Sequence, residues 1–137
     1  MPLVTMERVE TFSSAHRLHS HKLSDEENKT VYGKCNNTNG HGHNYVWRVI
    51  LKGELDQTTG MVFDLAELKK CMAIVLDTID HRNIDKDIAY FKNVPSTSEN
   101  VCIYLWEELK KHLRQPNILY KCVVEETPKN IFSYKGK

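Results

Sequence analysis

From His43 to Leu55 the chain alternates. Tyr45, Trp47, Val49 and Leu51 fall on one side and Asn44, Arg48 and Lys52 on the other, while Val46 and Ile50 add apolar surface to that second side. A period of two predicts a strand with one face buried and the other partly covered. Residues 4–15 predict an earlier strand of mixed polarity that runs up to His16. Asp56-Gln57-Thr58-Thr59-Gly60 is a turn. Beyond it the period changes: Leu65, Leu68, Met72, Val75, Leu76 and Ile79 recur at helical spacing behind Asp64, with Glu67 three residues on as a box-like N-terminal signature. Ser96 with Glu99 repeats that signature ahead of a helix burying Val101, Tyr104, Leu105 and Leu109 and ending near His112. Pro116 breaks that helix off from the next segment. Residues 118–127 and 130–135 read as two strands joined at Pro128-Lys129. Residues 17–40, rich in Ser, Asp, Asn, Lys and Gly, predict a long irregular loop, and a loop of that length in a compact domain is usually functional.

The order strand, strand, helix, helix, strand, strand predicts an α+β fold: a four-stranded antiparallel sheet with two helices packed on one face. No repeat or Pro/Gly/Ser linker divides the chain, so residues 1–137 form one domain. The sheet has a face without helices and two open edges, and strand 43–55 is apolar on both sides. Burial against other copies of the chain is therefore expected.

Composition narrows the partners. The 40% hydrophobic and 27% charged fractions are those of an ordinary globular protein. A formal net charge of +1 without a run of like charges gives no reason to expect nucleic acid or a membrane surface as partner. The N-terminus lacks a basic start followed by an apolar segment, so the expected address is the cytoplasm. A reducing compartment argues against disulfides among the four cysteines. Cys71, Cys102 and Cys122 sit among apolar neighbours and read as small buried thiols. Cys35 sits in a polar loop, between Lys34 and Asn36, where packing gives a thiol no role.

The chemistry concentrates at His41-Gly42-His43. On an extended backbone two imidazoles two residues apart share one side, roughly 6.5–7 Å apart along the strand, within reach of one ion. His16 ends the first strand and supplies a third imidazole if the two strands pair. Three neutral nitrogens with one open position is the arrangement zinc uses in catalysis. Cys35, six residues before His41, fits two roles: a fourth ligand closing a structural site, or an unbound thiolate favoured by the nearby cation and by Lys34. Glu126 continues the apolar alternation Ile118, Tyr120, Cys122, Val124, where it is either a solvated strand end or an anchor for substrate N–H groups. Asp80-His81 after the first helix is either a helix-terminal pair or an acid–imidazole pair for proton transfer.

Several segments together resemble the 6-pyruvoyltetrahydropterin synthase family over nearly the whole chain. They are Phe12-Ser13-Ser14-Ala15-His16-Arg17-Leu18, Leu23-Ser24-Asp25-Glu26-Glu27-Asn28, Gly33-Lys34-Cys35-Asn36-Asn37, Asn39-Gly40-His41-Gly42-His43-Asn44-Tyr45, Asp80-His81, Ser96-Thr97-Ser98-Glu99-Asn100 and Glu126-Thr127. The run from Cys35 to Tyr45 is the most specific. Thr38, where related sequences often carry Pro, and Cys122 in the last strands are the departures.

The resemblance implies Zn2+ on His16, His41 and His43, Cys35 as proton acceptor, and Asp80 and His81 relaying protons to it. It implies Glu126 holding the pterin ring, with further substrate contacts from Thr97, Ser98 and Glu99. It also implies the tunnelling fold, in which sheets of three subunits join into a barrel and two trimers stack as a homohexamer. The implied substrate is a small-molecule pterin triphosphate, 7,8-dihydroneopterin triphosphate, on the route to tetrahydrobiopterin. Nothing resembles a dinucleotide-binding or Walker loop.

Two rivals stand beside this reading. One is the sister activity, 6-carboxytetrahydropterin synthase, whose sequences tend to have fewer than the five residues found here between Cys35 and His41. The other is a non-catalytic zinc-stabilised module closed by Cys35.

Overall fold

The structure, a computed structural model, describes residues 2–137. Strand β1 (Leu3–His16) and strand β2 (His41–Glu54) form a long antiparallel pair in unbroken register, with Phe12 opposite Tyr45 and His16 opposite His41. Strand β4 (Leu119–Thr127) pairs antiparallel with β2, and β5 (Asn130–Tyr134) with β4. The expected four-stranded antiparallel sheet is a five-stranded mixed one. The residues after the first helix turn back as β3 (Arg82–Asn83), which runs parallel to β1 beside Ser14 and Ala15, giving the order β3-β1-β2-β4-β5. Two residues carry no readable periodicity, so nothing in the sequence announces this strand.

Helices α2 (Leu65–Ile79) and α4 (Ser98–His112) cover one face, and α3 (Ile84–Asp87) is a single turn after β3. The predicted apolar stripe is the observed one. Leu68, Met72, Val75 and Ile79 of α2 and Val101, Tyr104, Leu105 and Leu109 of α4 are buried against Tyr45, Trp47, Val49 and Leu51, although Leu65 is exposed. Asp64 caps α2 by accepting from the Ala66 N–H. Glu67 does not close the expected box; its carboxylate pairs with Arg114. The cap of α4 is Thr97, one residue after the expected Ser96, and accepts from the Asn100 N–H.

The segment 17–40 is not a structureless loop. Helix α1 (Asp25–Tyr32) occupies it, capped by Ser24, with the Glu27 carboxylate returning to the Ser24 N–H in a full capping box. Its polar composition hides the helix from a hydrophobic-period reading. A tight 3-10 turn over Gly33–Asn36 then carries Cys35.

Register shifts decide two side-chain positions. One between Ile50 and Leu51 buries Leu119 and turns Tyr120 outward, 39% exposed, against the expectation that it shares the Cys122 face. Another passes over Glu126, between the pairs Glu125–Ile131 and Thr127–Asn130. Such irregularities re-aim a side chain near sites. On the sheet face without helices, Arg48 pairs with Glu125 at 2.6 Å and Glu7 at 3.2 Å, around half-buried Val46 and Ile50. Cys71, Cys102 and Cys122 are free and buried. Among the described residues no helix is long and apolar enough to cross a membrane.

Candidate metal centre

The register of β1 against β2 brings three imidazoles to one end of the helix-covered face. His16 continues the buried positions Phe12 and Ser14; His41 and His43 continue inward-facing Tyr45 and Trp47. One ligand atom from each of His16, His41 and His43 lies within 4.8 Å of the others, and the Nε2 atoms of His16 and His41 are 3.1 Å apart. His16 is fully buried, and its Nδ1 lies 2.7 Å from the Ser96 carbonyl. A carbonyl only accepts, so Nδ1 carries the proton and Nε2 directs its lone pair into the cluster. Burial holds His16 and His43 below their ordinary value of 6.5, which favours the neutral, ligating form.

Gly40 shapes this corner. Its φ is +76°, and a Cβ there would sit 2.9 Å from the His16 carbonyl oxygen. A side chain would push the 33–40 segment off β1, so glycine is required by conformation and by space together.

Glu126 stands at the rim. Its Oε1 is 3.7 Å from His43 Nε2 and accepts from the Ser98 hydroxyl at 2.8 Å. Tyr45 lies beside it, its ring 5.5 Å from that of His43; its buried hydroxyl has no hydrogen-bond partner among the described residues, and burial pushes it above its ordinary value.

Cys35 is part-buried and outside the three-imidazole group. Its carbonyl accepts from the Leu18 N–H at 2.9 Å, two residues past His16. Asp80 and His81 form their own pair at 2.9 Å on the outer edge of β1. Ser13 accepts from the His81 N–H and donates its own N–H to Asp80 Oδ1, and that bond with the His81 contact holds Asp80 below the usual carboxylate range. His81 adopts a left-handed φ of 61° and leaves its side chain 82% exposed. It borders an open groove along Ser13–Ala15 and Gly42–Asn44. Of the remaining expected contacts, Ser98 is buried against Glu126, Thr97 is a helix cap and Glu99 is exposed. A second cleft, of about 210 Å³, is lined by Arg17, His19, His21, Lys86 and Lys92 with one acid, Asp85.

The 6-pyruvoyl tetrahydropterin synthase family model matches residues 5–137. The chain belongs to the 6-pyruvoyl tetrahydropterin synthase family. It is similar to a solved structure of 6-pyruvoyl tetrahydropterin synthase from Caenorhabditis elegans, at 67% identity and a TM-score of 0.99, covering 100% of this chain and 98% of that one. It is also 52% identical over 128 residues to the 6-pyruvoyl tetrahydrobiopterin synthase of Homo sapiens, covering 93% of this chain and 88% of that protein. With the Drosophila melanogaster protein of that name it shares 48% over 136 residues, covering 98% and 81%.

Within this synthase-family chain the donor set fits a metal ion on the protein's own geometry: converging ring nitrogens, one ring fixed by a backbone carbonyl, and, among the described residues, no carboxylate or sulfur in the group. The roles of four residues here were not readable from the sequence. Ser96 acts through its carbonyl, which no side-chain motif reports. Asn36 and Arg17 tie the Cys35 turn to the end of β1 across 18 or more positions. The unpartnered Tyr45 hydroxyl was hidden behind its apolar ring, which stacks on Phe12 at 4.8 Å.

Proposed function

We propose that the chain is a cytoplasmic 6-pyruvoyltetrahydropterin synthase, converting 7,8-dihydroneopterin triphosphate to 6-pyruvoyltetrahydropterin and inorganic triphosphate. The observation that carries this reading is the three-imidazole cluster whose group of ligand atoms does not include the Cys35 sulfur. His16, His41 and His43 would hold Zn2+. When bound, that ion polarises substrate oxygen and so acidifies the adjoining C–H bonds.

The chain's own residues do the rest. The Cys35 sulfur accepts the proton from the substrate side chain and returns it at a neighbouring carbon. Loss of triphosphate and this internal proton shift balance without an external oxidant or reductant. Asp80 and His81 exchange that proton with Cys35. Glu126 accepts hydrogen bonds from the pterin N–H groups, its carboxylate aimed by Ser98. Thr97 and Glu99 flank Ser98 at the start of α4 and complete the substrate contacts on that side. Lys86 and Lys92 in the cationic cleft suit the triphosphate.

The exposed Asp80–His81 pair lies on the edge of β1, and the charged sheet face without helices is uncovered. Both support assembly of a barrel-forming trimer stacked as a homohexamer, in which one subunit's pair serves another subunit's thiol. Incubating zinc-loaded protein with dihydroneopterin triphosphate tests the reading. Release of triphosphate with 6-pyruvoyltetrahydropterin is expected; unchanged substrate, or a 6-carboxytetrahydropterin product, would overturn it.

A further inference from the structure

The Cys35 turn is held to the strand that ends in a metal ligand by a small hydrogen-bond latch centred on Asn36. Asn36 is 4% exposed although it lies in a polar loop. Its Nδ2 donates to the Leu18 carbonyl at 2.7 Å and to His19 Nδ1 at 3.0 Å, using both of its protons. From the other side Arg17 Nε donates to the Asn36 carbonyl at 2.9 Å and its Nη2 reaches Asn36 Oδ1 at 3.4 Å. The Leu18 N–H closes the set on the Cys35 carbonyl.

Every one of these bonds joins residues 17–19, directly after His16, to residues 35–36. Asp85 fixes the same corner by accepting from the Arg17 N–H at 2.6 Å. Asn36 is therefore bonded to the strand end rather than to solvent, and its neighbour Cys35 is registered against His16 through it. The next residue does a separate job: the Asn37 side chain accepts from the Asn39 N–H and its carbonyl accepts from Gly40, steering the chain into β2.

We propose that Asn36 is a positioning residue that sets the Cys35 sulfur at its working place beside the three-imidazole site. The inference rests on the reading of Cys35 as the reacting sulfur. It assigns Asn36 no contact with substrate or ion. Asn36→Ala removes both donated bonds and the Oδ1 acceptor of Arg17 Nη2, while the backbone carbonyl at 36 still accepts from Arg17 Nε. Asn36→Asp keeps an acceptor for Arg17 but has no N–H to give. Misplacement of a reacting group by about 1 Å costs on the order of 100-fold in rate.

The test compares zinc-loaded wild type, Asn36→Ala, Asn36→Asp and Cys35→Ala. It measures bound zinc, kcat and KM with dihydroneopterin triphosphate, and the iodoacetamide alkylation rate of Cys35 with and without zinc, followed by mass spectrometry. Both Asn36 variants are expected to keep zinc and a KM within about threefold of wild type, with kcat down by about 100-fold. In wild type, zinc is expected to speed alkylation of Cys35, because a nearby cation favours the thiolate; in the Asn36 variants that acceleration is lost. Either variant turning over at the wild-type kcat, both losing zinc, or both failing to fold would overturn the assignment. Cys35→Ala with full turnover would instead sink the reading of Cys35, so the two failures are told apart.

Discussion

His16 and His41 face each other across the β1–β2 register with their Nε2 atoms 3.1 Å apart. Two nitrogens on one tetrahedral zinc at ~2.05 Å sit roughly 3.3 Å apart. The cross-strand pair is thus already spaced for a shared ion, and it belongs to the most regular part of the sheet.

Removing one ligand tests this. His41→Ala leaves two imidazoles, and its zinc affinity is expected to fall by more than about 100-fold, beyond the loss typical for an outer hydrogen-bond partner. Competition with a zinc-binding dye reads the constant. An affinity unchanged from wild type would show that the cluster does not hold the ion.

The metal-free protein should weaken on mild acidification. His16 and His43 are held below 6.5 by burial, so between that value and their folded-state values the unfolded chain binds more protons than the folded one. Stability is full above about pH 6.5 and falls as pH drops below it. Urea unfolding of zinc-free protein at pH 7.5, 6.5 and 5.5 checks the slope; a flat profile across that window refutes it.

Glu126→Gln keeps an oxygen for the Ser98 hydroxyl and removes the charge. A hydrogen bond to a charged group contributes about 1.5–3 kcal/mol, so kcat/KM is expected to fall by about 10- to 100-fold with the fold and zinc content intact. Unaltered kinetics would return Glu126 to the role of a solvated strand end.

Gly40→Ala combines a left-handed φ with a 2.9 Å approach to the His16 carbonyl. The conformation alone costs about 1–2 kcal/mol. Thermal unfolding should drop by several degrees, and zinc affinity should fall with it because the strain lands on the backbone of His16. Loss of stability without loss of affinity would separate the turn from the centre.

Much of this architecture was legible along the chain. Tyr45, Trp47, Val49 and Leu51 alternate because one face of β2 is sealed by helices, and Leu68, Met72, Val75 and Ile79 repeat because α2 seals it. The three histidines were readable because two share a strand face and the third ends its neighbour. Helix α1 was not, since its stability comes from the Ser24–Glu27 cap and not from an apolar stripe. Strand β3, the bulge at Glu126 and the left-handed His81 depend on where the chain is received, which no local pattern encodes. The latch at Asn36 joins residues far apart in sequence, and its two faces read separately as ordinary polar loop.

His16 and His41 stand 25 positions apart in the chain yet are strand partners. The excursion carrying α1 leaves the sheet at one histidine of the cluster and rejoins it at another, with both ends pinned. Lengthening such a segment costs only about 0.6 kcal/mol per doubling. Between those pinned ends, a change of length in the irregular connection ahead of α1 is thus cheap for the fold, whereas one inside α1 or the Gly33–Asn36 turn would shift the Cys35 thiol.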